Sequence, residues 1–99
     1  MRKSVNEVMQ IASRELRKKE KQWNCGLSFY VLIDAADFYT VGYKHKDPEN
    51  NGLFGDQMHF DIDAKTGELL VPRPYLPWSE YGKKLDSGKR VEIPEEYKN

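Results

Sequence analysis

The chain is poor in cysteine and histidine and contains no long apolar run, and each shortage excludes a class of protein. A single cysteine, Cys25, allows no internal disulfide, so the fold must be stable without one. No apolar stretch approaches the roughly 18 residues that a membrane-spanning helix requires, and the N-terminus lacks the apolar centre of a signal peptide. We therefore expect a cytoplasmic protein with no membrane partner.

Signatures of catalysis and metal binding are also scarce. His59 and Asp61 lie two residues apart, with His45 on the preceding strand, and imidazole beside carboxylate is the raw material of a general base or a metal site. No third ligand follows at a suitable spacing, and we interpret these residues as polar side chains on the protein surface. Cys25 is best explained as a packed thiol at a helix end. The seven glycines are dispersed and form no phosphate-binding loop, so we expect no enzyme, no metal and no cofactor.

The composition is that of one small globular domain, residues 1–99. Hydrophobic residues make up 38% of the chain, and six Tyr, four Phe and two Trp provide large side chains for one core. The net charge is zero, but residues 1–22 carry seven Lys and Arg against three acids, and residues 34–68 carry eight acids against three lysines. Such asymmetry either marks a partner surface or reflects a helix and a sheet with separately charged faces. The zero net charge and interrupting glutamates argue against nucleic-acid binding.

The first segment has the pattern of a helix over residues 4–22. Ser4 and Glu7 match the S-x-x-E capping box, in which each side chain accepts a hydrogen bond from the other residue's backbone N–H. Apolar residues then recur at helical spacing, and cations gather toward the C-terminal end, where the helix dipole favours them. Asn24 and Gly26 supply a stop.

After Gly26 the period changes to that of strands. The segments 27–34, 38–46, 56–63 and 68–71 predict an α+β fold, in which the N-terminal helix packs on a four-stranded antiparallel sheet spanning residues 27–71. Alternation places Phe29, Val31 and Ile33 on one face, and Tyr39, Val41 and Tyr43 on one face of the next strand. We expect the helix to pack on Phe29, Val31, Val41 and Phe60. Residues 72–99 should form a Pro-rich crossover and a short C-terminal element.

The stretch 61–68 resembles a calcium loop but fits a hairpin better. A calcium loop of the EF type that began at Asp61 would need an oxygen ligand at its fifth position and a glycine at its sixth. Lys65 and Thr66 occupy those positions, and Gly67 comes one residue late. Asp63 is instead placed to accept turn N–H groups, and Gly67 to adopt a positive φ.

The segment "PRPYLPWSEYG" is the main candidate for recognition. Its prolines exclude a central strand and a helix interior and stiffen the chain, so that little entropy is lost when the segment is ordered at an interface. Tyr75, Trp78 and Tyr81 are typical interface anchors. The alternative is that they close one end of a small core.

The order of helix, two strands and "MHFDIDAKTGELL" resembles the helix-plus-hairpin units of small bacterial domains of the PepSY-like and nuclear-transport-factor-2-like kinds. The resemblance covers residues 60–68 closely and the order of elements over 4–71 loosely. Among such domains, short proteins of this length look like immunity proteins of bacterial toxin–immunity systems. The resemblance implies a non-catalytic protein that binds a cognate toxin, in some cases a nuclease, and blocks its active site. The Pro-aromatic segment and the lack of a leader depart from the family pattern.

These considerations together predict a surface for a protein partner with a basic active site. An acidic surface would speed association with such a site and fix the register of the complex. The alternatives are a structural or regulatory interaction domain, including a phage-encoded inhibitor or a homodimer, and an enzyme that uses His59 with Asp61. The predicted contact residues are Asp34, Asp37, Asp61, Asp63, Tyr75, Trp78 and Tyr81.

Overall fold

The structure, a computed structural model, describes residues 2–46, 59–70 and 78–98, and only the backbone of residues 78–81. It confirms an α+β fold in which a long helix packs on a four-stranded antiparallel sheet of strand order β3-β2-β1-β4. The elements in chain order are α1 (Val5–Trp23), β1 (Leu27–Asp34), β2 (Phe38–His45), β3 (His59–Asp63), α2 (Trp78–Ser87), β4 (Lys89–Arg90) and a final 3-10 turn (Glu95–Tyr97).

Both ends of α1 follow from the local sequence. The Glu7 N–H donates to Ser4 Oγ at 3.2 Å and the Ser4 N–H donates to Glu7 Oε1 at 3.1 Å, which completes the predicted capping box. Asn24 ends the helix in the left-handed conformation at φ 51°, a conformation that asparagine tolerates better than most residues. The face between these ends buries Val8, Met9, Ala12 and Leu16.

One irregularity in β1 changes which side chains reach the core. The pairing runs from Phe29 opposite Tyr43 to Val31 opposite Gly42, so Tyr30 is an extra residue in a β-bulge. Because successive residues of a strand point to opposite faces, one extra residue exchanges the faces of everything beyond it. The prediction that Val31 packs under the helix is therefore wrong. Leu32 is fully buried in the core instead, and Val31 lies half-buried on the other face.

The core between α1 and the sheet otherwise has the predicted composition. Phe29 packs there with the predicted trio of β2, and β3 adds Phe60 and Ile62. The rings of Tyr43 and Phe60 stack with their centroids 4.8 Å apart. Burial raises the pKa of the Tyr43 hydroxyl. A smaller cluster forms around Ala35 and Phe38, with Leu70 and Leu85 against it.

The fourth strand comes from a different part of the chain than the sequence suggested. Residues 68–70 return along β3 and make one isolated bridge, between Leu69 and Ile62. Asp63 and Gly67 form the predicted hairpin turn, in which Gly67 has φ 77°. The place beside β1 is taken by Lys89–Arg90, with Arg90 opposite Ile33. The chain enters this strand through Gly88, where a Cβ would lie 2.9 Å from the Asp34 carbonyl oxygen.

We predict that Leu16→Ala lowers the free energy of unfolding by about 2–5 kcal/mol, because it leaves a cavity beneath α1, where Leu16 is 6% exposed. Chemical denaturation of the parent and the variant measures the difference. Gln22→Ala, on the exposed side of the same helix, is the matched control and should change stability little. Equal stability of Leu16→Ala and the parent would show that another face of α1 packs on the sheet.

Candidate partner-binding surface

The acidic residues at the end of the β1–β2 hairpin are engaged within the chain. Both carboxylate oxygens of Asp34 accept from the Arg2 guanidinium, at 2.6 and 3.1 Å, and Oδ1 also accepts from the Ala36 N–H at 2.9 Å. The hydrogen bonds from Arg2 lower the pKa of Asp34. Asp37 pairs with Lys84 of α2 at 2.5 Å, and this hydrogen bond lowers the pKa of Asp37. Cations from two other segments therefore neutralise much of the predicted acidic surface.

Asp63 acts as the acceptor of its turn. Its Oδ1 accepts from the Lys65 N–H at 2.8 Å and the Thr66 N–H at 2.9 Å. These hydrogen bonds, the Thr66 bond first, lower the pKa of Asp63. The carboxylate thus fixes the hairpin, as the turn pattern predicts.

Asp61 is buried, so the expectation that it lies on an exposed outward face is wrong. It is 2% exposed, its Oδ1 accepts from the Thr40 hydroxyl at 2.7 Å, and His59 Nδ1 lies 3.4 Å from the same oxygen. Alternation placed Asp61 correctly on the side of β3 away from α1, but that side is itself closed to solvent there. In this conformation Asp61 cannot contact a partner.

The structure does not bring the two histidines together. Gly42, not His45, lies opposite His59, and His45 pairs with Leu27 at the far end of β2. His45 is 5% exposed. Cys25 is partly buried against the core, as predicted. Within residues 2–46, 59–70 and 78–98, no three His, Cys, Asp or Glu side chains are grouped to hold a metal ion.

The aromatic candidates of the Pro-rich segment are only partly placed. Tyr75 lies outside the described residues. Trp78 is the first residue of α2 and Tyr81 lies one turn further on, but the structure describes only the backbone of these two residues. The choice between core and interface for these three residues remains a prediction.

The structure shows an exposed aromatic residue that the sequence did not single out. Tyr30, the extra residue of the bulge, is 50% exposed, more than any other large hydrophobic side chain in the described ranges. Its ring lies over Gly42, where a Cβ would come within 3.0 Å of Tyr30 Cε1 and 2.6 Å of Val31 Cγ1. Lys44 Nζ lies 5.9 Å from the ring centroid, close enough for a cation–π contact. A glycine in the middle of a strand often marks a bulge or a close approach of another group. Gly42 was therefore the feature of the sequence that could have indicated the bulge at Tyr30.

Tyr30, Gly42 and Lys44, which we call the Tyr30 patch, form an exposed aromatic surface. The ring rests on backbone that admits no side chain, and the Lys44 ammonium lies over the ring. Such a ring loses little conformational freedom when a partner covers it, because it is already ordered. The Tyr30 patch is the candidate partner-binding surface that the described residues support best.

The engaged aspartates predict the response of stability to acid. Because its pKa is lowered in the folded chain, Asp34 stabilises the fold above its ordinary pKa of 3.8, and this contribution is lost as the pH falls through the folded value. We expect Asp34→Asn to cost at most about 1 kcal/mol at neutral pH, since the pair is partly exposed. Unfolding measured from neutral pH to about pH 2 should show the parent and the variant converging.

Glu68→Gln is the control for the loss of an exposed carboxylate and should leave the stability at neutral pH close to that of the parent. A constant difference between Asp34→Asn and the parent down to the lowest pH would contradict the pairing of Asp34 with Arg2.

We predict that the hairpin at residues 61–68 binds no calcium. The carboxylate of Asp61 is buried with Thr40, Asp63 Oδ1 accepts two backbone N–H groups, and Lys65 stands where a ligand would be required. Calorimetric titration with millimolar calcium should give no saturable heat. Saturable heat that Asp63→Asn abolishes would contradict this interpretation.

Comparison with known proteins adds no relative. The chain matches no protein-family model, no curated protein and no solved structure. None of the helices in the described ranges has the length and apolar character needed to cross a membrane.

Proposed function

We propose that this chain is a non-catalytic binding protein that covers the active site of a toxin, as an immunity protein does. The observation that carries the binding role is Tyr30, which is half exposed and held on a backbone platform in the sheet. Tyrosine is among the residues that dominate interface energies, and it does so best when it is ordered before binding. The toxin as partner rests on the resemblance of residues 60–68 to the hairpins of small bacterial domains.

The charge pattern supports a more specific role for the acidic end of the sheet. Asp37 keeps a side chain that is 72% exposed although it pairs with Lys84, and Asp34 is 24% exposed beside Arg2. A basic toxin groove would compete with Arg2 and Lys84 for these carboxylates. We therefore assign the acidic end a role in orientation and the Tyr30 patch the larger share of affinity. Tyr30 and Asp34 lie about 13 Å apart along β1 but on opposite faces of the sheet, so a partner that contacts both regions must reach around the end of the sheet.

The alternative function is an interaction domain that binds a second copy of itself. An exposed tyrosine on a sheet face also suits a two-fold interface, in which the same patch meets its own copy. Sedimentation at increasing concentration separates the two. If the chain is a monomer at all accessible concentrations, a different protein is the partner. If the chain forms a dimer that Tyr30→Ala dissociates, the Tyr30 patch serves self-association.

The toxin proposal is tested by co-expression. The genes that flank this one would be expressed singly in a bacterial host, and any that arrests growth would be expressed again together with this chain. Relief of the arrest and a complex of the two purified proteins are expected. Flanking genes that are all harmless, or an arrest that this chain leaves unchanged, would contradict the role of an immunity protein.

We predict that Tyr30→Ala weakens the complex by about 2 kcal/mol, close to thirtyfold in Kd, chiefly through faster dissociation. Tyr30→Phe keeps the ring and should bind within a few fold of the parent. Surface-plasmon kinetics on variants with the parent melting temperature measures both. Parent-like dissociation of Tyr30→Ala would move the interface away from the Tyr30 patch, toward Trp78 and Tyr81.

A further inference from the structure

A second surface of different character lies on the helix side of the molecule. A cavity of about 190 Å³ opens between α1, the start of β1 and the 3-10 turn. Two shallower depressions continue it along α1 and share Arg17 with it. We call the continuous feature the α1 groove. It is distinct from the Tyr30 patch, and nothing in the proposed function uses it.

The charges along the α1 groove are mostly basic. Four cations and two carboxylates line it, namely Arg14, Arg17, Lys21, Lys46, Glu20 and Glu96. One of these carboxylates, that of Glu20, already accepts a hydrogen bond from the Leu27 N–H at 3.0 Å. The ion pairs formed among described residues include none of the four cations. The groove therefore presents exposed positive charge that the rest of the described chain does not neutralise.

The wall of the groove at β1 is the edge of the sheet. The Lys46 N–H donates to the Gly26 carbonyl at 3.0 Å, so the backbone carbonyl of Gly26 faces β2. The Leu27 N–H points to the outer side of the strand, where it donates to Glu20. Backbone groups alternate in direction along a strand, and Phe29 must therefore also direct its N–H and C=O away from β2. On that outer side, the pairing with described residues reaches only to Leu32, whose carbonyl accepts from the Val91 N–H at 2.8 Å.

The C-terminal segment turns away before it can pair with the start of β1. Ile93 is buried in the core, and Pro94 has no N–H to donate to a strand ladder. The 3-10 turn then brings Glu96 and Tyr97 into the lining of the same cavity as Phe29. The lining of the α1 groove thus combines the start of β1, the half-buried Tyr97 and the guanidinium groups of Arg14 and Arg17.

We propose that the α1 groove binds an extended acidic segment of a protein partner, which adds to the free edge of β1 at Phe29. Backbone hydrogen bonds at an open edge accept any extended peptide, and the side-chain sites beside them select the sequence. Arginine holds carboxylates in bidentate pairs, so Arg14 and Arg17 select glutamate or aspartate. Two arginine side chains on a helix would attract an acidic peptide and a nucleic acid alike. The strand edge distinguishes the two, because it pairs only with a polypeptide backbone.

The test uses the full chain and a fluorescent peptide of alternating glutamate and valine, which is extended and acidic. Anisotropy at low salt should show saturable binding that weakens as salt is raised. A peptide of alternating lysine and valine should bind at least about tenfold more weakly. A single-stranded DNA oligonucleotide that binds as tightly as the acidic peptide would overturn the proposal in favour of general anion binding.

Charge reversal on α1 distinguishes the groove from the rest of the helix. Arg17→Glu should weaken the acidic peptide about tenfold or more. Lys18→Glu makes the same charge change one residue away, outside the groove, and should alter the affinity by no more than about twofold. Equal effects of the two variants would refute a defined groove. Circular dichroism melts would confirm that both variants fold.

Amide hydrogen exchange reports on the strand edge itself. Peptide binding should slow exchange of the Phe29 amide, while the Val31 amide, which pairs with β2, should not change. Unchanged exchange at Phe29 with bound peptide would overturn addition to the edge. Because none of these assays involves a toxin or Tyr30, their failure and failure of the proposed function are separate results.

Discussion

The extra residue at Tyr30 is the constraint that decides which side chains of β1 enter the core. Before it, Phe29 faces the core; beyond it, Leu32 does, because the bulge exchanges the faces of β1. At the insertion the Tyr30 ring lies over Gly42, where no Cβ fits. The insertion also reverses the direction of the backbone groups beyond it, so that the Leu32 carbonyl can accept from Val91. A regular strand would instead turn Val31 into the core and direct the Leu32 carbonyl toward β2, away from Val91.

The distribution of ion pairs gives the two charged regions different roles. At the hairpin end, Arg2 and Lys84 bind Asp34 and Asp37, so these acids hold separate segments together. Along the α1 groove the cations have no such partners among the described residues. A sequence-level count sees only a basic first segment and an acidic middle. The structure shows that the acids at the hairpin end are already paired with cations. Positive charge that has no ion-pair partner among the described residues lies along the α1 groove.

The sequence predicted most of the fold because its strongest signals are local. The capping box and the 3.6-residue period define α1, and alternation defines the core face of β2 and β3. Val31 was misplaced because a bulge depends on how two strands pair, which alternation within one strand cannot show. Lys89–Arg90 carries no strand signal; it pairs with β1 because α2 and Gly88 deliver it there. Asp61 was assigned to the correct face but not to the correct environment, since alternation gives direction and not exposure. The α1 groove was missed because three distant segments build it.

The register of β1 against β2 tests this account most directly. In an antiparallel pair, residues opposite each other without mutual hydrogen bonds bring their Cα atoms within about 4.5 Å, which gives a strong nuclear Overhauser effect between their Hα protons. The bulge predicts that effect between Leu32 and Val41, together with one between Phe29 and Tyr43. An unbulged strand would place Val31 opposite Val41 instead. A strong Hα–Hα effect between Val31 and Val41, with none from Leu32, would contradict the bulge and the exchange of faces that brings Leu32 into the core.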